Sequence, residues 1–240
     1  MRTVKLRDGI ESHQPYPVGE FTKEIVLSIC EHIVFLKATG KADLSGEEFS
    51  GLFAAASGGK YLGRPIGIAD VVRGGCCWSV KTVKQKKPHT AKSVRLISGR
   101  NSPIYSSGIS DPLSNVRLTG QSVLDIYNNR VNKAKRDHDD MRLVVFVRNM
   151  DAQEFTLFER PIYPLVVNKY RWEVNTRGNL IGFDDDTHLF TWQPHGSQFT
   201  IHEPVPHGAV RFRITHEPEI LKMNKVLLDV GFEHDWVEIL

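Results

Sequence analysis

The chain has 240 residues, 40% of them hydrophobic, enough to bury a full core as one domain or as one domain with an appended lobe. No apolar run reaches the roughly 20 residues of a membrane span, and the basic N-terminus is not followed by a signal-peptide core, so a cytoplasmic protein without a membrane partner is expected. Three cysteines, Cys30 and the neighbours Cys76 and Cys77, make neither a disulfide framework nor a complete zinc site.

Residues 1–17, polar with two prolines, read as an arm. Val18 to Ala38 carries Phe21, Ile25, Ile29, Ile33 and Leu36 near helical spacing and predicts a largely buried helix that Gly40 ends. Ser45 followed three positions on by Glu48 is a capping-box pattern. It opens a second helix through Phe49, Leu52, Phe53 and Ala56, closed by Gly58-Gly59.

From Arg64 to Lys84 the sequence predicts two short strands, Ile66 to Val72 and Cys77 to Lys84, folded back at Gly74-Gly75, where both turn residues can take positive φ. With a two-glycine loop, Arg73 faces Cys76, Val72 faces Cys77 and Asp70 lands opposite Ser79. Lys81 shares the face of Ser79, diagonal to Asp70, because side chains alternate with period two. A carboxylate and an ammonium in the middle of a sheet cost several kcal/mol unless paired, metal-bound or used.

Between Asp70 and Asp111 there is no acid, yet Arg73, Lys81, Lys84, Lys86, Lys87, Lys92, Arg95 and Arg100 all fall there. In a chain of net charge +3, the remainder is acidic on balance. Such a block beside a carboxylate–amine pair suits a phosphate backbone, although a solvated lysine-rich sheet edge has the same composition.

Ser93 to Ser98 is a third strand. Gly99 to Leu118, rich in Ser, Gly, Asn and Pro, reads as a long loop. A helix starts at Thr119 or Gly120 with Val123, Leu124, Tyr127, Val131 and Ala134 on one side, and Arg142 to Val147 is a buried strand. The crossover helix favours a parallel neighbour for that strand.

From Asp151 short alternating segments separated by turn signals predict a β-rich extension: Phe155–Phe158, Arg171–Val174, Leu189–Gln193, Gln198–His202 and Val210–Thr215. Gln193, His195 and Gln198 flank a Gly-containing turn and are candidates to meet base edges, since Gln pairs bidentately with adenine. The other reading is a hairpin with a buried Trp192 and a polar tip. The tail from Glu217, with Ile220, Leu221, Val226, Leu227 and Val230, is expected to pack on the core as a short helix and strand. The boundaries that follow are residues 1–150 for a core with N-terminal helices and 151–240 for the extension.

Asp70 with Ser79-Val80-Lys81 resembles the motif of the PD-(D/E)XK nuclease superfamily, the fold of many type II restriction endonucleases, with serine in place of the motif's acid and Ile68-Ala69 where its Pro would be. The resemblance implies an α/β chain of the α+β mixed-sheet kind, with a restriction-endonuclease-like αβββαβ core and a β-rich C-terminal lobe. It implies metal-assisted phosphodiester hydrolysis, with Mg²⁺ held by Asp70, a further acid and the backbone carbonyl of Val80. Glu48 is the choice for that acid, and Glu47 the neighbouring alternative. Lys81 would orient the attacking water, Ser79 would hydrogen-bond a water, and Lys84, Lys86, Lys87, Arg95 and Arg100 would contact double-stranded DNA. A homodimer is the expected assembly. The rival readings are a DNA-binding protein of the same fold that has lost catalysis with the acid at Ser79, and a nuclease without sequence preference.

Overall fold

Helices form where caps and apolar spacing agree. The computed structural model describes residues 14–63 and 67–240. In it, α1 (Lys23–Ala38) begins behind Thr22, whose hydroxyl accepts from the Ile25 N–H, so Val18 to Phe21 precede the helix instead of opening it. α2 (Gly46–Ser57) carries the full capping box at Ser45 and ends at Gly58 with φ of 67°. The first thirteen residues of the expected arm, and Ile66 at the start of the expected first strand, lie outside the described residues.

β1 (Lys60–Tyr61), β2 (Val71–Arg73) and β3 (Cys76–Lys84) form an antiparallel meander. β4 (Ser93–Arg100) then leaves this sheet. After α3 (Pro103–Ser107) and α4 (Val116–Lys135) the chain returns as β5 (Asp140–Asn149), parallel to β3 along its length. β6 (Glu154–Pro161) and β11 (Val210–Arg213) complete a six-stranded mixed sheet of order β1-β2-β3-β5-β6-β11. β5 is buried on both faces, which is why Arg142 to Val147 reads as a near-continuous apolar run.

The second sheet is antiparallel, of order β4-β10-β9-β8-β7, built from β7 (Arg171–Val174), β8 (Leu180–Asp184), β9 (Thr187–Gln193) and β10 (Gln198–Pro204) with β4 at its edge. Together these elements make an α+β fold with one mixed sheet. α1 and α2 cover one face of the first sheet around Trp78, Phe146 and Phe155. The other face, carrying Cys77, Leu143, Val145 and Phe158, packs against α4 and the inner face of the second sheet at Phe190, Trp192 and Phe199.

Several expectations are corrected. The strand 93–98 is not the third member of the first sheet's meander: its partner is β10, and the third strand, paired with β2, is the two-residue β1. The boundary at residue 150 is not followed by the sheets. β6 and β11 complete the first sheet, and β4 joins the second. The segment 99–118 holds α3, and α4 begins at Val116 behind an Asn115 cap. β8 was not foreseen. In the tail, α5 (Met223–Asp229) forms, but no strand follows, and Ile220, Leu221, Val226 and Val230 are exposed instead of joining a core.

Candidate active site

The hairpin at Gly74-Gly75 has the register the turn dictates: Val71 faces Trp78, Val72 faces Cys77 and Arg73 faces Cys76, with Gly74 at φ of 56°. One step before β2, the Asp70 N–H donates to the Trp78 carbonyl at 2.8 Å, which places Asp70 beside Ser79. Its carboxylate Oδ2 accepts from the Val80 N–H at 2.8 Å and from the Ser79 hydroxyl at 3.5 Å, and lies 3.6 Å from the Lys81 ammonium. Asp70 thus continues the strand pairing with its side chain where the backbone of β2 has run out. The Val80 carbonyl shares the strand edge of its N–H. The carboxylate and the amine are 22% and 29% exposed, so neither is sealed in the core.

Both face a cavity of about 600 Å³ bounded by the start of α2, the end of β3 and the edge strand β4, with Glu47, Tyr61, Asp70, Lys81, Lys84 and Arg95 on its wall. Glu48 is not among these residues. Its carboxylate accepts from the Ser45 N–H at 2.8 Å and pairs with Lys41. The acid on the wall is Glu47, one residue earlier and about 100° round the helix. Partial burial and then the negative charges of Glu47 and Asp70 push the Tyr61 phenol up.

The oxygens this space offers a cation are hard ones: the Asp70 and Glu47 carboxylates, the hydroxyls of Ser50, Tyr61 and Thr82, and the Val80 main chain. No group of three or more His, Cys, Asp and Glu side chains that could hold a metal ion exists among the described residues. That set fits Mg²⁺, which takes one or two carboxylates and leaves the rest of its shell to water and phosphate. Ser79, buried at 5% exposure, supplies no charge.

The expected DNA contacts fall into separate groups. Lys84 and Arg95 line the cavity, although Lys84 also pairs with Asp43 at 2.6 Å, and Asp43 in turn accepts from Arg148 at 3.0 Å. Lys86 and Lys87 are exposed just beyond β3, and Lys86 borders a second groove of about 350 Å³ with Lys84 and Arg148. Arg100 opposes Gln198, which opposes Gln193, a row across three strands with the exposed His195 in the adjoining turn. This row lies five residues along β4 from Arg95, about 16 Å away. Trp192 is buried beneath it, its indole N–H donating to the Asn101 carbonyl at 2.7 Å.

Nucleophilic cysteine chemistry has no support: Cys76 and Cys77 are buried, and burial pushes the Cys77 thiol up to about 12. Sequence reasoning passed over Tyr61, Asp43 and Arg148, which carry no motif and meet the site only through the fold. No helix among the described residues is long and apolar enough to cross a membrane. Comparison with protein-family models, with curated proteins and with solved structures found no match to this chain.

Proposed function

We propose that the protein is a Mg²⁺-dependent, site-specific endonuclease of double-stranded DNA, of the type II restriction kind and with a PD-(D/E)XK-like site. The observation that carries this reading is the carboxylate–amine pair of Asp70, one step before β2, and Lys81 on β3, 3.6 Å apart and open to a cavity with Lys84 and Arg95 on its wall. Asp70, Glu47 and the Val80 carbonyl would hold the cation, Glu47 taking the place expected of Glu48. A bound Mg²⁺ there supplies Lewis-acid polarisation of the phosphate and acidification of a water.

The chain's own groups do the rest. Lys81 aims an N–H at the attacking water and balances charge that develops on the phosphoryl oxygens. The Val80 N–H and the Ser79 hydroxyl fix the Asp70 carboxylate at the cavity wall. Lys84 and Arg95 hold the backbone on either side, and the Arg100, Gln198 and Gln193 row meets base edges. Cutting both strands of a palindrome calls for two such centres related by a two-fold axis, hence a homodimer.

Serine at position 79 favours a second reading, a DNA-binding protein that has lost catalysis. One experiment separates the two: long DNA incubated with the purified protein, with and without Mg²⁺. Discrete fragments only with Mg²⁺ support the proposal, a smear makes the nuclease nonspecific, and intact DNA retarded on a gel makes the protein a binder.

A further inference from the structure

Lys81 stands between two cavities. One is the open groove shared with Asp70. The other, between the two sheets, is a space of about 30 Å³ with Ser79, Lys81, Ser98, Tyr127, Arg160 and Glu203 among its walls. Arg160 comes from β6 and Glu203 from β10, so their ion pair spans the sheets directly behind Ser79 and Lys81. Glu203 is only 3% exposed; burial raises its carboxyl above the usual carboxylate range, and the Arg160 guanidinium offsets only part of that rise.

Two features point to a further occupant. Arg160 donates through Nη2 to Glu203 and through Nη1 to the Pro161 carbonyl at 3.4 Å, while its buried Nε–H has no acceptor among the described residues. Buried donors of charged groups are rarely left so. Ile68, Leu96, Leu143, Ile162 and Ile201 form most of the rest of the wall; the space has room for one water, which needs two to four partners, and Ser79, Ser98, Glu203, Lys81 and Arg160 are the polar groups that offer them.

We infer that this cavity holds a single ordered water joining the Glu203–Arg160 pair to Ser79 and Lys81, and that Glu203 acts through it as a positioning residue for the Lys81 ammonium. Asp70 alone holds Lys81 loosely, because 3.6 Å is longer than a hydrogen bond and a lysine ammonium has three donors to place. Position 79 offers a hydroxyl where the motif it resembles has a carboxylate. Glu203 returns a negative charge to the same neighbourhood from the other sheet. The consequence for catalysis rests on the nuclease reading; the water and its four partners do not.

A crystal structure of the full chain, at a resolution that shows ordered waters, is the first test. A peak within hydrogen-bonding reach of Glu203, the Arg160 Nε and the Ser79 hydroxyl is expected, and an empty cavity overturns the inference even if no variant folds. The second test is E203Q, which keeps the shape and removes the charge. Acetylation of Lys81 by acetic anhydride, read by peptide mass against the exposed Lys92, should run at least about threefold faster once the ammonium is released from that hold. An unchanged rate in a folded variant overturns the coupling. E203Q should also cut DNA at least about tenfold more slowly while binding it equally well with Ca²⁺ in place of Mg²⁺. If the wild type does not cut DNA yet the water and the acetylation come out as stated, the nuclease reading fails and the positioning of Lys81 stands.

Discussion

Asp70→Asn separates what the site does for stability from what it does for chemistry. The substitution keeps the shape, and the remaining amide oxygen can still accept from the Val80 N–H now 2.8 Å from Oδ2. What goes is the charge opposite Lys81. Unit charges 3.6 Å apart attract by about 4–5 kcal/mol at an effective dielectric of 20. Both side chains are partly hydrated, and measured pairs of this kind contribute nearer ~1 kcal/mol. For a chain of this size that is a fall in Tm of about 2–4 °C by scanning calorimetry. Cleavage should respond on another scale. On the proposed function, loss of the Asp70 carboxylate as a cation ligand would remove several kcal/mol of transition-state stabilisation, on the order of 10³ in single-turnover rate. Gel-resolved cleavage of long DNA under saturating enzyme checks it. A folded Asp70→Asn protein cutting at the wild-type rate would refute the site assignment.

Glu47 and Glu48 are distinguished by a pair of alanine variants. E47A should weaken the apparent Mg²⁺ affinity of cleavage at least about tenfold with little effect on Tm, whereas E48A loses the cap and about 1 kcal/mol but keeps the Mg²⁺ dependence; the reverse pattern restores Glu48. Buried Glu159 accepts from the Tyr16 hydroxyl at 2.9 Å, the Trp78 indole at 2.7 Å, the Gly19 N–H at 2.9 Å and Arg142 at 3.2 Å, so E159Q should cost about 3–5 kcal/mol in urea unfolding; a loss below about 1 kcal/mol contradicts its role as a hub. Although partial burial pushes the Asp43 carboxyl up, hydrogen bonds from Lys84 and Arg148 hold it well below the usual carboxylate range. Its contribution is therefore complete above the unfolded-state value of about 3.9 and fades as pH falls below it, so the stability gap between wild type and D43N should be constant from neutral pH to about pH 5 and then narrow; a gap that widens in acid is incompatible with this. R100A and Q198A should each relax the preferred cleavage sequence at one position, worth about 1–3 kcal/mol, with the cutting chemistry intact; an unchanged site preference in a fragment-sequencing assay removes that row from recognition.

The hairpin was legible because a Gly-Gly pair between β-branched runs fixes both the turn and the parity, and parity alone brings Asp70 to Ser79 and Lys81. The capping box at Ser45 was legible for the same local reason. What failed was non-local. Ser93 to Ser98 shows the alternation of a half-buried strand, but nothing nearby in sequence names its partner, which arrives only with β10 after two helices and five strands. β8 was masked by Gly182, a residue that ordinarily weakens a strand. Here it is required, since an added Cβ would stand 2.9 Å from the rings of both Trp172 and Phe190. The choice between Glu47 and Glu48 turned on helix rotation: the capping-box acid is the one folded back on its own cap, hence the one unable to face the cavity.

The mismatch between β2 and β3 explains why a site forms here at all. β2 pairs with β3 only from Cys76 to Trp78, so from Ser79 to Lys84 β3 has β5 on one side and, among the described residues, no strand on the other. A bare edge with free N–H and C=O groups invites another strand, and proteins commonly blunt it with charge. This chain does so with Asp70, whose carboxylate caps the Val80 N–H, and with Lys81 and Lys84 further along. Because β4 pairs with β10, its outer edge becomes the opposite wall of the cavity. The groove therefore runs along an edge of β3 that no described strand covers, with Lys81, Lys84 and Arg95 as donors and Asp70 and Glu47 as acceptors on its wall. On the proposed function, Lys81, Lys84 and Arg95 would meet the phosphates of DNA along that edge, and the Asp70 and Glu47 carboxylates would hold the cation.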